Sequence, residues 1–445
     1  MQKPNSLYNA FIFEQFQFNQ TNGEILLSYR FESGPRFDER FVIPPSEHKL
    51  SDDEKKALDR ALFSLHLAAG ISYYKAYCPS EMQVDSGQLT KDEAVFWTQL
   101  YTLGLGEFFY RNDLDFTDLI QFPVSDVAPQ SFQTKGEGAL VPIGGGKDSL
   151  VTIEALRAAD HPLVIFNVGE QKALEAVIDA VDSRRIKVER RIDPALFALN
   201  TEPDVYNGHI PVTAIINCLA VVTAIVHGKR DIVFSNERSA NVGNVQMNGI
   251  EVNHQYSKSL EFERDFQAYV AASISPSLRV FSLLRPFSEL MIVQKFVETG
   301  KYFDVVTSCN TSFRLVKEKP TGRWCGECPK CAFVFPLFAA FLPKADVMGI
   351  FGVNVFENQT LLPVYEALVG KTPVKPFECV GEPEEVIVSL AMAHERGEFE
   401  DAVIMKWFVA EVLPGVKDLE AMRARVFAPT KEHVVPKDYL SVIGL

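Results

Sequence analysis

An apolar run at residues 140–143 leads straight into Gly144-Gly145-Gly146-Lys147-Asp148-Ser149, and helical patterning follows from Leu150. A buried strand, a glycine turn and a helix start, in that order, leave few folds open. Consecutive glycines let several backbone N–H groups converge on one concavity, and the helix N-terminus adds unpaired donors and a favourable dipole. Such a concavity suits a phosphate group. Lys147 can place a positive charge on it, Ser149 offers a hydroxyl donor, and Asp148 can orient a magnesium ion or a loop amide. The spacing is not that of a Walker A loop, which needs four residues between its first glycine and Gly-Lys, and it is not a dinucleotide fingerprint. A ligand-free glycine turn is the bland alternative, and the strand–turn–helix setting weighs against it.

Around this loop, short apolar runs alternate with helical patterns. Runs at residues 163–166, 186–192, 232–234 and 280–281 read as strands, and Leu174, Val177, Ile178 and Val181 share one helix face. Strand–helix alternation indicates an α/β fold with a doubly wound parallel sheet covered on both faces. Before it, Phe11, Phe13, Phe16 and Phe18 and then Ile25, Leu27, Tyr29 and Phe31 flank Asn22-Gly23, a β-hairpin signal. A third strand is expected at residues 41–43. Ser51-Asp52-Asp53-Glu54 is a capping box that opens a helix, and residues 122–138 read as a linker. Beyond Pro343 the strand signal fades into helical runs near residues 386–393 and 402–413. The expected organisation is an N-terminal β-hairpin/α unit (1–135), the phosphate-loop domain (136–343) and a mostly helical C-terminal region (344–445).

Cys325-Gly326-Glu327-Cys328-Pro329-Lys330-Cys331 holds two successive CxxC spacings, with Cys309 upstream. Four thiolates with a CxxC knuckle meet the requirement for a tetrahedral structural Zn²⁺. Three other readings stay open: an iron–sulfur cluster, a persulfide carrier, and plain thiols at a helix start. Cys78, Cys218 and Cys379 sit in apolar or isolated settings and are expected in the core.

Ser235-Asn236-Glu237-Arg238-Ser239-Ala240-Asn241 follows a buried strand, so it belongs at the carboxyl edge of the sheet, where ligands of open α/β sheets bind. Asn253-His254-Gln255-Tyr256-Ser257-Lys258 follows soon after. Arg238 and Lys258 can hold anionic groups, and His254 or Glu237 can transfer protons. Loop polarity and capping are the plain alternative. His209, before an apolar helix, is as much a capping or packing residue as a ligand, and His66, His227 and His394 lie in helical runs and are expected to be structural or exposed. The net charge of −14 argues against a large nucleic-acid partner. No uninterrupted apolar signal or membrane-length segment is visible. With seven cysteines, four of them gathered in one region, a reducing, cytoplasmic location is the expectation.

The loop resembles the SGGxDS motif of the PP-loop ATP pyrophosphatases, with Gly144 replacing the usual serine. That resemblance implies ATP and Mg²⁺ at Gly144–Ser149 and chemistry in which a substrate oxygen attacks the α-phosphate and pyrophosphate leaves. Gln2 offers no N-terminal cysteine nucleophile of the asparagine synthetase kind. The wider pattern, which includes residues 141–149, 235–241, 253–258, 323–331 and Pro376-Phe377-Glu378-Cys379-Val380-Gly381-Glu382, resembles the MurL family, UDP-N-acetyl-α-D-muramoyl-L-alanyl-L-glutamate epimerases. It implies inversion of the terminal glutamate of a sugar-nucleotide dipeptide, at the expense of ATP, for peptidoglycan synthesis. His254, Glu237, Lys258, Arg238 and Cys309 are then the candidates to act around the glutamate, and the cysteine cluster becomes a clamp beside the pocket. Sulfur or nitrogen insertion into a small molecule or tRNA, and ATP sensing without turnover, are the rival functions.

Overall fold

The computed structural model describes residues 2–313 and 322–445. Among them the strands are β1 (Ala10–Asn19), β2 (Glu24–Phe31), β3 (Arg36–Val42), β4 (Glu81–Val84), β5 (Ala139–Pro142), β6 (Leu163–Val168), β7 (Arg185–Arg191), β8 (Asp231–Phe234), β9 (Val245–Met247), β10 (Ile250–Val252) and β11 (Arg279–Ser282). Nine of them form one sheet in the order β11-β8-β5-β6-β7-β3-β2-β1-β4, and β9 and β10 make a separate small hairpin. From β11 to β7 all pairings are parallel, as strand–helix alternation requires.

The N-terminal meander is antiparallel and joins this sheet edge to edge through β3 and β7, with Phe41 opposite Arg190. The two expected units therefore share hydrogen bonds through one continuous sheet. The β1–β2 hairpin forms, but its connection spans residues 20–23 and only Gly23 is left-handed, at φ 71°. A Cβ at Gly23 would stand 1.8 Å from the carbonyl oxygen of Ile43, so only glycine fits. The capping box at Ser51 and Glu54 is present and opens the helix Asp52–Tyr74.

Alternation along the parallel strands sorts their side chains to two cores. Leu140, Val164, Phe166, Ile232 and Phe234 face one cluster, which also takes the aromatic N-terminal strands and the apolar helix Val212–Val226. Val141, Ile165 and Val233 face the other, packed with the helix Lys147–Ala158 and the C-terminal helices. This two-sided burial explains why the strands read as continuous apolar runs. The C-terminal region is helical as expected, including Pro383–Glu395 and Val403–Glu411. No helix of the described residues is long and apolar enough to cross a membrane.

The chain leaves β5 for β6 on one side, while β8 lies on the other. The carboxyl ends of β5 and β8 thus flank a point where strand order reverses, the place where open α/β sheets bind ligands.

Candidate functional site

The turn after β5 puts Gly145 at φ 82° and makes Gly146 the N-cap of the helix Lys147–Ala158. No side chain caps that helix, so its first N–H groups are free to meet an anion. Gly144, Gly146, Asp148 and Ser149 line a cleft of about 420 Å³, within the size range of small-molecule sites. Lys147 behaves differently from the expectation. Its ammonium is buried and paired with Asp148 at 2.5 Å and with Glu289. Burial opposes its charge, but the two carboxylates outweigh that and hold it protonated. It neutralises the floor of the loop and is not among the residues lining the cleft.

Across the cleft stand Ser235, Asn236 and Glu237 from the segment after β8, together with Lys258, Lys330 and Cys379. Glu237 is buried; desolvation, reinforced by the negative charges of Glu289 and Asp148, raises its carboxyl to about 7. A carboxyl poised there can both accept and return a proton near neutrality. Lys258 is kept protonated by Cys379 first, against burial, with help from Glu237 and Asp148.

Both Glu237 and Lys258 are held by Arg285, which is fully buried. Its guanidinium donates to the backbone carbonyls of Glu237 and Lys258, each at 2.6 Å, and pairs with Glu263 at 2.6 Å. Glu263 in turn accepts from the backbone N–H of Ser282, at the end of β11, at 2.9 Å. A planar fork satisfied on several sides fixes two loops that a lysine could not.

Arg238 departs from the expectation. Its side chain turns toward the C-terminal segment, donates to the carbonyl of Ala428 at 3.0 Å and does not line the cleft. Asn241 and Asn253 fasten loops: Asn241 accepts from the N–H of Leu260 at 2.7 Å and Asn253 donates to the carbonyl of Ala240 at 2.9 Å. His254 sits behind the cleft wall. Its Nδ1 is hydrogen-bonded to buried Glu107, and its charge and that of Cys379 act on each other. Burial disfavours the imidazolium, but Cys379 and Glu107 outweigh it and raise His254 to about 9. His209 lies beside it, with ring centroids 4.4 Å apart and ring planes tilted by 42°, and burial with the neighbouring His254 lowers it to about 4. Glu107, His209 and His254 could together offer ligand atoms to an ion.

Cys379 corrects the sequence reading. Cys78 and Cys218 are core residues as expected, but Cys379 faces the cleft, with its sulfur 3.3 Å from the Lys258 ammonium. Burial would raise its thiol; Lys258, His254 and Lys330 outweigh burial and bring it down to about 5. Lys330 also donates to its carbonyl.

The other four cysteines form a closed cluster. Sulfur separations are 4.0 Å for Cys309–Cys328, 3.7 Å for Cys325–Cys331 and 3.5 Å for Cys328–Cys331, and all four sulfurs lie within 4.8 Å of one another. Four thiolates about 2.3 Å from one ion stand roughly 3.8 Å apart at the corners of a tetrahedron, so the set fits Zn²⁺. Backbone N–H groups of Cys325, Glu327 and Cys331 point at the sulfurs of Cys309, Cys325 and Cys328, each at 3.4 Å. None of the four lines the cleft, but the cluster reaches it structurally. Thr307 donates its N–H to the carbonyl of Gly145 at 3.1 Å, and Ser308 and Asn310 enter the cleft wall.

The sequence reading missed Glu107, Glu289, Arg285, Lys330 and the position of Cys379. Arg285 alone left a signal, a lone charge in the apolar run Phe281-Ser282-Leu283-Leu284-Arg285-Pro286-Phe287.

Known proteins share this organisation in sequence. Residues 2–283 match the MurL N-terminal domain and residues 305–423 the MurL C-terminal domain. A protein of Xanthomonas oryzae pv. oryzae named UDP-N-acetyl-alpha-D-muramoyl-L-alanyl-L-glutamate epimerase is 38% identical over 430 residues, which cover 96% of this chain and 95% of that protein. Proteins of the same name from a Micromonospora species and from Salinispora tropica are 38% and 37% identical over 443 residues. These cover 98% of this chain in both cases, and 98% and 96% of the relatives. The chain belongs to the MurL family.

Proposed function

We propose that the protein converts the terminal L-glutamate of UDP-N-acetylmuramoyl-L-alanyl-L-glutamate to D-glutamate, splitting ATP into AMP and pyrophosphate through an acyl-adenylate. The substrate follows the relatives' name. The observation that carries the chemistry is that one cleft is lined both by the uncapped glycine loop and by Glu237. A free carboxylate suppresses the acidity of its neighbouring C–H, because deprotonation would put two negative charges side by side. Adenylation removes that charge and makes the carbonyl an electron sink. The glycine loop and helix N-terminus hold the phosphates, and Asp148 is placed to hold Mg²⁺, which would neutralise the leaving pyrophosphate. Lys258 offsets charge that develops on the acyl oxygen. Glu237 takes the α-proton from one face, and a proton drawn from solvent is delivered to the opposite face.

Cys309, Cys325, Cys328 and Cys331 hold a structural zinc ion that fixes Ser308 and Asn310 beside the loop. Sulfur insertion would need one of these thiols at the cleft, where none is found. About one zinc per chain is expected by metal analysis of the purified protein. The test of function is to supply ATP, Mg²⁺ and the L,L-dipeptide nucleotide, and to assay AMP, pyrophosphate and product chirality. Nucleotide-dependent pyrophosphate with D-glutamate supports the reading; ATP cleavage that ignores the nucleotide, or none at all, rejects it.

A further inference from the structure

Glu237 and the phosphate loop account for activation and proton transfer, but Cys379 is left without a task in that scheme. It is no stray thiol. Its sulfur lies 3.3 Å from Lys258, its carbonyl is pinned by Lys330, and it shares the cleft with Gly146 and Glu237. The His254 ring, anchored through Nδ1 to buried Glu107, adds to Lys258 in favouring the thiolate. A thiol beside an ammonium, with a carboxylate-anchored imidazole adding positive charge, is the kind of setting that activates a cysteine nucleophile.

We propose that Cys379 is a nucleophile that takes the glutamyl group from the adenylate as a thioester, with His254 and Glu107 as its positioning residues. The inference rests on the adenylation reading above. The Cys379 thiolate attacks the acyl carbon, an S–C bond forms, the bond from that carbon to the AMP oxygen breaks, and AMP departs with the electron pair. The glutamate is then held as a thioester, whose sulfur donates little electron density to the carbonyl, so the α-C–H stays acidic. Glu237 exchanges the α-proton. Water then attacks the thioester carbon and the S–C bond breaks. The thiolate is restored, the D-glutamyl carboxylate leaves, and the two protons left by the water pass to solvent.

The chemistry favours this role over that of a base. A thiolate stabilised by Lys258 and His254 is abundant at neutral pH but weakly basic toward carbon, whereas it remains a competent nucleophile toward an acyl-adenylate. Transfer to sulfur also releases AMP before the slow carbon chemistry and keeps the activated acyl group from water in the meantime.

The test is rapid acid quench of the wild-type protein during a single turnover with ATP, Mg²⁺ and the dipeptide nucleotide, followed by mass analysis of the intact chain and its peptides. The acyl mass is expected on Cys379, removable by hydroxylamine. Cys379→Ala is expected to lose the adduct and to lose α-deuterium incorporation at least about 100-fold, with a much smaller fall in nucleotide-dependent ATP–pyrophosphate exchange. His254→Gln, which leaves the thiol in place, should slow AMP release and shift the pH profile of adduct formation upward. Pyrophosphate exchange in the wild type with no adduct on Cys379, or a Cys379→Ala protein that deuterates the α-carbon at the wild-type rate, overturns the proposal. Loss of deuteration in the variant without a wild-type adduct makes the thiol an acid–base group and also overturns it. Absence of wild-type pyrophosphate exchange would instead sink the adenylation reading, so the two failures are distinguishable.

Discussion

At one end of the cleft the binding surface comes from one contiguous loop, Gly144, Gly146, Asp148 and Ser149, between a single strand and a single helix. At the other end Glu237, Lys258 and Cys379, with Glu107 and His254 behind the wall, arrive from separate places in the chain and are fixed by buried charges. The first end depends on backbone geometry, which local sequence dictates. The second depends on electrostatics among side chains brought together only by the complete fold. The two ends should therefore fail differently when altered: damage to the first removes every later step, while damage to the second separates ATP cleavage from inversion.

Glu237→Gln tests that separation most severely. Loss of a general acid–base group costs about 10²–10⁴-fold, so α-deuterium incorporation should fall by that factor while pyrophosphate formation persists. Because the wild-type carboxyl is raised to about 7, it is protonated below that pH and ionised above it. Proton abstraction should accordingly rise as pH climbs through 7, and the residual rate of the variant should lack that limb. If both activities of the variant vanish together, the ends of the cleft are not separable.

Arg285→Met removes the fork that ties the Glu237 and Lys258 loops. It leaves Glu263 as a buried, unpaired carboxylate, a loss of about 3–5 kcal/mol in the denaturant midpoint analysis. A variant with unchanged stability would contradict the buried network. Ser149→Ala acts at the other end. The Ser149 hydroxyl donates to the Gly146 carbonyl at 3.1 Å and so fixes the loop; losing a donor of the anion site costs about 10²-fold, and here pyrophosphate formation and deuterium incorporation should fall in parallel. Arg238→Ala is expected to matter least, costing about 1 kcal/mol for its hydrogen bond to Ala428. A large drop in turnover with unchanged stability would return Arg238 to the chemistry.

The same contrast explains what could be read in advance. The parallel strands and the glycine loop were legible because period, length and turn residues are local properties. The hairpin was legible from its alternation and turn residues, though only Gly23 adopts the left-handed conformation. Edge-to-edge joining of β3 to β7 was not legible, because strand pairing across about 150 positions leaves no local mark. Glu237, His254 and Lys258 stood out as polar residues after apolar runs. Cys379 did not, because a lone cysteine in a proline-bounded segment looks inert until Lys258 and His254 are placed beside it. Arg238 and Lys147 misled for the complementary reason: charge in the sequence says nothing of whether a partner such as Ala428 or Glu289 already occupies it.

The central claim is that activation and deprotonation occur in one cleft. Turnover of the L,L-dipeptide nucleotide with ATP and Mg²⁺ in D₂O, with pyrophosphate and α-deuterium followed together, tests it most directly. The account predicts D-glutamate carrying deuterium at the α-carbon, formed only when pyrophosphate is released. Inverted glutamate that retains its original α-hydrogen, or deuterium exchange that proceeds without ATP, would contradict it.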